Sequence, residues 1–224
     1  MSICVDEIGL LLNKSKGIKV SNQPTLNLPI QTIDNSSPRA KEVLEKALKQ
    51  VGFIPNMYSY MVNSPAMLDT YLFGYSQFRS ESGFTPVEQE VVFLTISREN
   101  GCDYCVSAHS VIADAFSKVP AEVTNAIRNN VEIPDAKLKA LNSFTKELLN
   151  KRGHPCKTEV AAFIAAGYTE AHVLSILLAI SVKILSNYAN HLFETPLDDR
   201  FKVREWHAEC DNSKECNGTK ACAA

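Results

Sequence analysis

From Pro38 to about residue 195, apolar residues recur at helical spacing, and Gly, Pro or Asn stands at most of the breaks. The first instance is Val43, Leu44, Ala47, Leu48 and Val51, closed by Gly52 and Pro55. Pro38 after Ser37 suits a first helical position. The same pattern predicts helices near 56–63, 65–80, 86–99, 103–117, 119–129, 135–151, 157–166 and 170–190. Alternating β-branched runs joined by hairpin turns are missing, so the expected fold class is all-α, a compact helical bundle. A chain of 224 residues can bury a full core as one domain or two closely joined halves.

Three regions are expected: an irregular N-terminal arm over 1–37, a helical domain over 38–205, and a flexible Cys-containing tail over 206–224. Trp206 reads as a packing anchor for that tail. A shift of 84 residues lays Gly83-Phe84-Thr85 on Gly167-Tyr168-Thr169, Leu94, Ile96 and Ser97 on Leu178, Ile180 and Ser181, and Tyr104 on Tyr188. These six identities between 83 and 104 suggest two degenerate helical repeats. The second copy lacks the polar groups of the first, with Leu174, Ser186 and Ala189 opposite Glu90, Cys102 and Cys105.

A net charge of −2 gives no field that would draw the chain to nucleic acid or to an anionic membrane. No apolar run approaches the ~20 residues of a membrane helix. The first residues lack the positive start of a secretory signal, so a cytoplasmic location is expected. Seven cysteines are too few and too irregular for a disulfide scaffold. Cys4, Cys156, His154 and His207 stand apart from any motif, and the tail cysteines Cys210, Cys216 and Cys222 read as reduced. Only Cys102 and Cys105 form a C-x-x-C, which in such a chain points to redox or metal chemistry.

That pair lies where helices meet. Thr85-Pro86-Val87-Glu88 has the form of a capping box, which explains Glu88. Glu90, beside the stripe that holds Val91 and Leu94, has no such role, and taken alone it reads as a glutamate at the edge of the face, in solvent. Asn100-Gly101 ends that helix and Cys102 opens the next. At about 100° per residue, Cys102 and His109 fall roughly 20° short of two turns apart, and Cys105 lies about 40° from His109. All three share one helix face, with the thiols at the amino end, where unpaired N–H groups favour thiolate. His109 is placed to take or return a proton. The rival chemistry is zinc on Cys102, Cys105, His109 and Glu90, though no second knuckle accompanies them. Tyr188, Asn190 and His191 are weaker candidates for a pocket, and His172 reads as core or interface.

The segment Glu90 to His109, E-x11-C-D-Y-C-x-x-x-H, resembles the alkyl hydroperoxidase D-like, peroxidase-related branch of the carboxymuconolactone decarboxylase superfamily. Gly52-Phe53-Ile54-Pro55-Asn56, Asn187 to Phe193, and Thr195-Pro196-Leu197-Asp198 support it, so the likeness spans about residues 50–205. It implies an all-helical fold that assembles as trimers or hexamers. It also implies antioxidant peroxide reduction by the cysteine pair with a Glu90–His109 proton relay. Cys105 matches the attacking thiol and Cys102 the resolving one. The implied partners are a peroxide and a dithiol, thioredoxin-like or lipoyl reductant. Tyr104, a further candidate site residue, stands where some members carry a histidine. The decarboxylases generally lack the cysteine pair, which argues against lactone chemistry. A lactone or keto-acid lyase using His109 or His191, and a non-catalytic zinc or redox-sensing assembly, are the alternatives. With no flavin, haem or nucleotide motif, no cofactor is expected, and no metal. The apolar run Val173 to Leu185 exceeds what one helix face needs and is expected to meet another subunit.

Overall fold

The structure, a computed structural model, describes residues 24–208. Within them the chain is helical, with no strand. The helices are α1 (Pro38–Val51), α2 (Asn56–Met61), α3 (Pro65–Glu81), α4 (Pro86–Glu99), α5 (Asp103–Ile112), α6 (Ala121–Asn129), α7 (Ala136–Asn150), α8 (Lys157–Ala165) and α9 (Glu170–Phe193). A π-helical turn, Ala113–Ser117, continues α5, and a 3₁₀ segment, Asp199–Arg204, follows α9. Each expected helix is present, with ends shifted by a few residues. The exceptions are the π turn, which breaks the long helix expected over 103–117, and the 3₁₀ segment, which no periodicity announced.

α4 is the central element. Ten of its fourteen residues are buried, and α5, α6, α7 and α9 pack around it. Its start is fixed locally: Thr85 Oγ1 accepts from the Glu88 amide at 3.3 Å, Glu88 Oε2 accepts from the Thr85 amide at 2.9 Å, and Pro86 takes the first helical position. The second copy of that turn behaves alike. Gly83 and Gly167 both adopt a left-handed backbone, and Thr85 and Thr169 both cap the helix that follows. In the second cap, His172 replaces the glutamate and accepts from the Thr169 amide at 3.0 Å, so its ring serves the turn.

Two apolar clusters fill the interior. One gathers α4, α6, α7 and the carboxyl end of α3 around Phe78, Phe93 and Phe144. The other gathers α1, α2, the amino end of α3 and one face of α5 around Leu44, Met61 and Leu68. α9 spans both, lying so close to α3 that a Cβ on Gly74 would sit 2.8 Å from a Val182 methyl. By length and apolar content alone α9 is sufficient to cross a bilayer, contrary to the expectation that no run approached that size. Its packed face carries Lys183, Ser186, Asn187 and Asn190, which makes it a core helix here.

Both ends of the described chain are tied down. Leu26 donates its amide to the Leu192 carbonyl at 3.1 Å, and residues 24–37 contain no helix. At the other end, the expectation of looseness fails for residues 206–208. The Trp206 amide donates to Ser107 Oγ at 3.0 Å, its indole donates to the Arg128 carbonyl at 3.1 Å, and His207 and the Ala208 amide meet the Asp103 carboxylate at 2.9 and 3.0 Å. Polar residues on α5 and α6 hold this segment, and hydropathy does not register them. Cys4, Cys210, Cys216 and Cys222 lie outside the described residues.

Candidate active site

The site lies on the seam between the two clusters, where α5 crosses α4 and α9. Cys102 is the N-cap of α5 and Cys105 sits in its first turn. Both are free thiols and buried. The Asn190 side-chain amide reaches both sulfurs, 3.3 Å from Cys105 Sγ and 3.7 Å from Cys102 Sγ. Asn190, weighed from sequence only as a weak pocket candidate, is thus in contact with the pair.

Glu90 is 0 % exposed, which corrects its reading as a solvent-edge residue. Burial without a partner would be prohibitive for a carboxylate, and it has two. Oε2 accepts from His109 Nδ1 at 2.8 Å, and Oε1 takes a short charge-assisted bond from Arg79. Burial pushes the Glu90 carboxyl up, but His109 and Arg79 outweigh it and hold the group below its usual range, so it is ionised. A carboxylate only accepts, so His109 Nδ1 carries the hydrogen and Nε2 is the ring's acceptor. Burial first, then the nearby Lys183 ammonium, hold the imidazole below its ordinary value and therefore neutral. Arg79 also donates to Tyr75 Oη at 2.6 Å and lies 4.9 Å above the Tyr75 and Phe93 rings, which fixes its head.

The two thiols are not equivalent. Burial pushes Cys105 up. The Cys102 thiol donating to it and the Lys183 ammonium overcome that and hold it well below the usual thiol value. For Cys102, burial and its place as donor to Cys105 push the other way. The first proton therefore leaves Cys105.

Cys105 and His109 open on a cavity of about 500 Å³, while Cys102 is not part of its wall. Much of the wall is aromatic: Phe53, Tyr58, Tyr71, Tyr75, Tyr104 and Phe201. Burial raises the Tyr58, Tyr71 and Tyr75 phenols, so they face the cavity protonated. Phe116, on the π turn, stands mostly in solvent at the rim. Tyr104 lines the cavity but its hydroxyl donates to Asp198 Oδ2. Asp198 also accepts from the Asn56 amide at 3.2 Å, and Asn56 Nδ2 donates to the Pro196 carbonyl at 3.0 Å. The distant segments around Pro55-Asn56 and Thr195 to Asp198 thus meet beside the cavity, with Tyr104 as a pin between them.

His191 does not line this cavity; it stacks on Tyr188 at 6.1 Å. Cys156 caps α8 together with Glu159. Among the described residues no three of His, Cys, Asp and Glu converge on a metal-sized site. Lys183 also lines the cavity, although its neighbours in sequence are apolar. The signal was there, a charged residue at a core register of α9, but periodicity could not say what it faced.

Residues 65–147 match the sequence profile described as the Carboxymuconolactone decarboxylase family. No curated protein matches the chain in sequence. Among solved structures, it is similar to an "alkylhydroperoxidase AhpD core" peroxidase-related protein from Ralstonia eutropha JMP134, with a TM-score of 0.70 at 18% identity over 81% of this chain and 96% of that one. A peroxidase-related protein from Silicibacter sp. TM1040 gives 0.65 at 17% identity over 82% and 96%. The debrominase Bmp8 gives 0.61 at 18% identity over 79% and 94%. At these identities the likeness is one of fold.

Proposed function

We propose, for a chain whose segment 65–147 matches the Carboxymuconolactone decarboxylase family profile, a thiol-dependent peroxidase that cycles through a Cys102–Cys105 disulfide. One arrangement carries the reading: an ionised Glu90 orients His109, and Cys105 shares His109's cavity with Cys102 behind it. The Cys105 thiolate attacks the outer peroxide oxygen. The O–O bond breaks, the leaving alkoxide takes a proton from the site, and Cys105 becomes a sulfenic acid. Cys102 then condenses with it, forming the S–S bond and releasing water. His109 Nε2 accepts the Cys102 proton as that sulfur attacks and passes it to the leaving hydroxide. An external dithiol restores both thiols by exchange.

One equivalent of peroxide is expected to remove two hydrogens from the Cys102–Cys105 peptide, seen by mass spectrometry, and dithiol-dependent turnover should follow. Two persistently free thiols would end this reading. The size and aromatic wall of the cavity favour an organic substrate over hydrogen peroxide alone. They also favour a second reading, because the fold is shared with a debrominase that has been solved with 2,3,4-tribromopyrrole. The same dithiol would reduce a carbon–halogen bond: two electrons and one proton from the thiols make the carbon–hydrogen bond, halide leaves with the second proton, and the Cys102–Cys105 disulfide forms. Halide release without peroxide consumption would select that chemistry.

The proposal extends to assembly. Leu174, Leu177, Tyr188 and Leu192 are exposed along one side of α9, and Phe73 of α3 is exposed too. An apolar strip of that kind is expected to bury itself in a homo-oligomer. Sedimentation at micromolar concentration should report a species heavier than the 24.7 kDa chain; a monomer would refute the assignment.

A further inference from the structure

Most buried charges near the site have a protein partner of opposite sign or a donor. Glu90 has Arg79 and His109, and Asp198 has Tyr104 and the Asn56 amide. Lys183 is the exception. It is 1 % exposed, and it forms no ion pair with a carboxylate among the described residues. A lone ammonium in such a place is costly unless a negative charge faces it. Its head lies 5.6 Å from the centre of the Phe93 ring, which itself lies 5.0 Å from the His109 ring, and it lines the same cavity as Cys105.

The groups around that cavity leave one candidate for the missing charge. α2 and α3 contribute the neutral phenols Tyr58, Tyr71 and Tyr75 together with Arg79, which is spent on Glu90 of α4. α5 contributes Cys105, Tyr104 and a neutral His109, with its cap Cys102 behind the wall, and the neighbours of Lys183 on the same α9 face are the amides of Asn187 and Asn190. Arg200, on the 3₁₀ segment, lies 3.5 Å over the Phe53 ring. Among the described residues that line this cavity, the group left that can carry a negative charge toward the ammonium is the Cys105 sulfur.

We propose that Lys183 is the counter-cation of Cys105, a positioning residue that fixes which sulfur carries the negative charge before substrate arrives. The inference deepens the proposed peroxidase reading, in which Cys105 is the attacking thiol. It assigns Lys183 no proton transfer. The side chain neutralises a charge that a largely aromatic cavity would otherwise disfavour, and Cys105 neutralises Lys183 in return.

The test is the pH dependence of iodoacetamide alkylation of the reduced full chain, followed at the Cys105 peptide by mass spectrometry, with no peroxide present. In Lys183→Met the alkylation midpoint is expected to rise by about one pH unit or more, with roughly tenfold slower labelling at pH 7. Lys183→Arg keeps the charge and should restore most of the shift; a structural lysine would not produce that pattern. Lys183→Gln keeps polarity without charge and serves if the methionine variant does not fold, as judged by circular dichroism. An unmoved midpoint in folded Lys183→Met or Lys183→Gln overturns the inference. A shifted midpoint in a protein that never consumes peroxide supports the pair and sinks the peroxidase reading instead.

Discussion

Replacing Cys105 with serine is expected to abolish dithiol-dependent peroxide turnover, a loss on the order of a thousandfold or more, while the fold survives. Serine is nearly isosteric, but its hydroxyl is a far weaker nucleophile at neutral pH and cannot form the disulfide. Cys102→Ser should behave differently. Cys105 still opens on the cavity, so the first peroxide is consumed and one sulfenic acid accumulates, trappable by a carbon nucleophile. Without a resolving sulfur the cycle stops there. Stopped-flow consumption of one equivalent by Cys102→Ser and none by Cys105→Ser would fix the roles. The reverse pattern would exchange them, although only Cys105 lines the cavity.

Glu90→Gln is expected to cost about 3–5 kcal/mol of stability, the usual penalty for breaking a buried ion pair by removing one partner. The loss follows from a carboxylate held at 0 % exposure between Arg79 and His109, and it replaces the milder effect that a solvent-edge glutamate would have. Urea unfolding at pH 7 measures it. Adding Arg79→Met to Glu90→Gln removes the stranded cation and should recover part of the stability, a coupling that independent sites would not give. Acid dependence supplies a second reading. His109 is held below its ordinary 6.5 in the folded chain, so the stability it contributes is complete above that pH and is lost as pH falls toward the folded value. Glu90, held below 4.5, extends the loss further down. The wild type should therefore weaken from about pH 6.5 downward. Glu90→Gln should lose the lower part of that dependence, and an unchanged acid limb would argue against the ionised carboxylate.

The parts of the molecule that were legible from sequence are those fixed within a few residues. The Thr85–Glu88 box, the breaks at Gly52 and Gly101, and the shared face of Cys102, Cys105 and His109 depend on local geometry, and periodicity registers that. The pairing of Glu90 with His109 is expected only through the family resemblance, and Lys183 is not singled out at all, for one reason. Each is a charged group on a mostly apolar helix, and whether it points at solvent or at a partner depends on a neighbour far away in the chain: Arg79 and His109 for one, the α5 thiols for the other. Asn190 belongs with them, since its amide meets sulfurs about 85 residues away. The docking of residues 206–208 on Asp103, Ser107 and Arg128 was likewise out of reach, because single polar contacts leave no period.

The seclusion of Cys102 has a kinetic consequence under the proposed chemistry. If the sulfur of Cys105 is the one that meets the cavity in both redox states, oxidant and electron donor must use a single doorway. They have to alternate, each leaving before the other enters. Excess donor should then slow the enzyme by competing with peroxide for the vestibule, and double-reciprocal plots should be parallel at low donor concentration and bend upward at high.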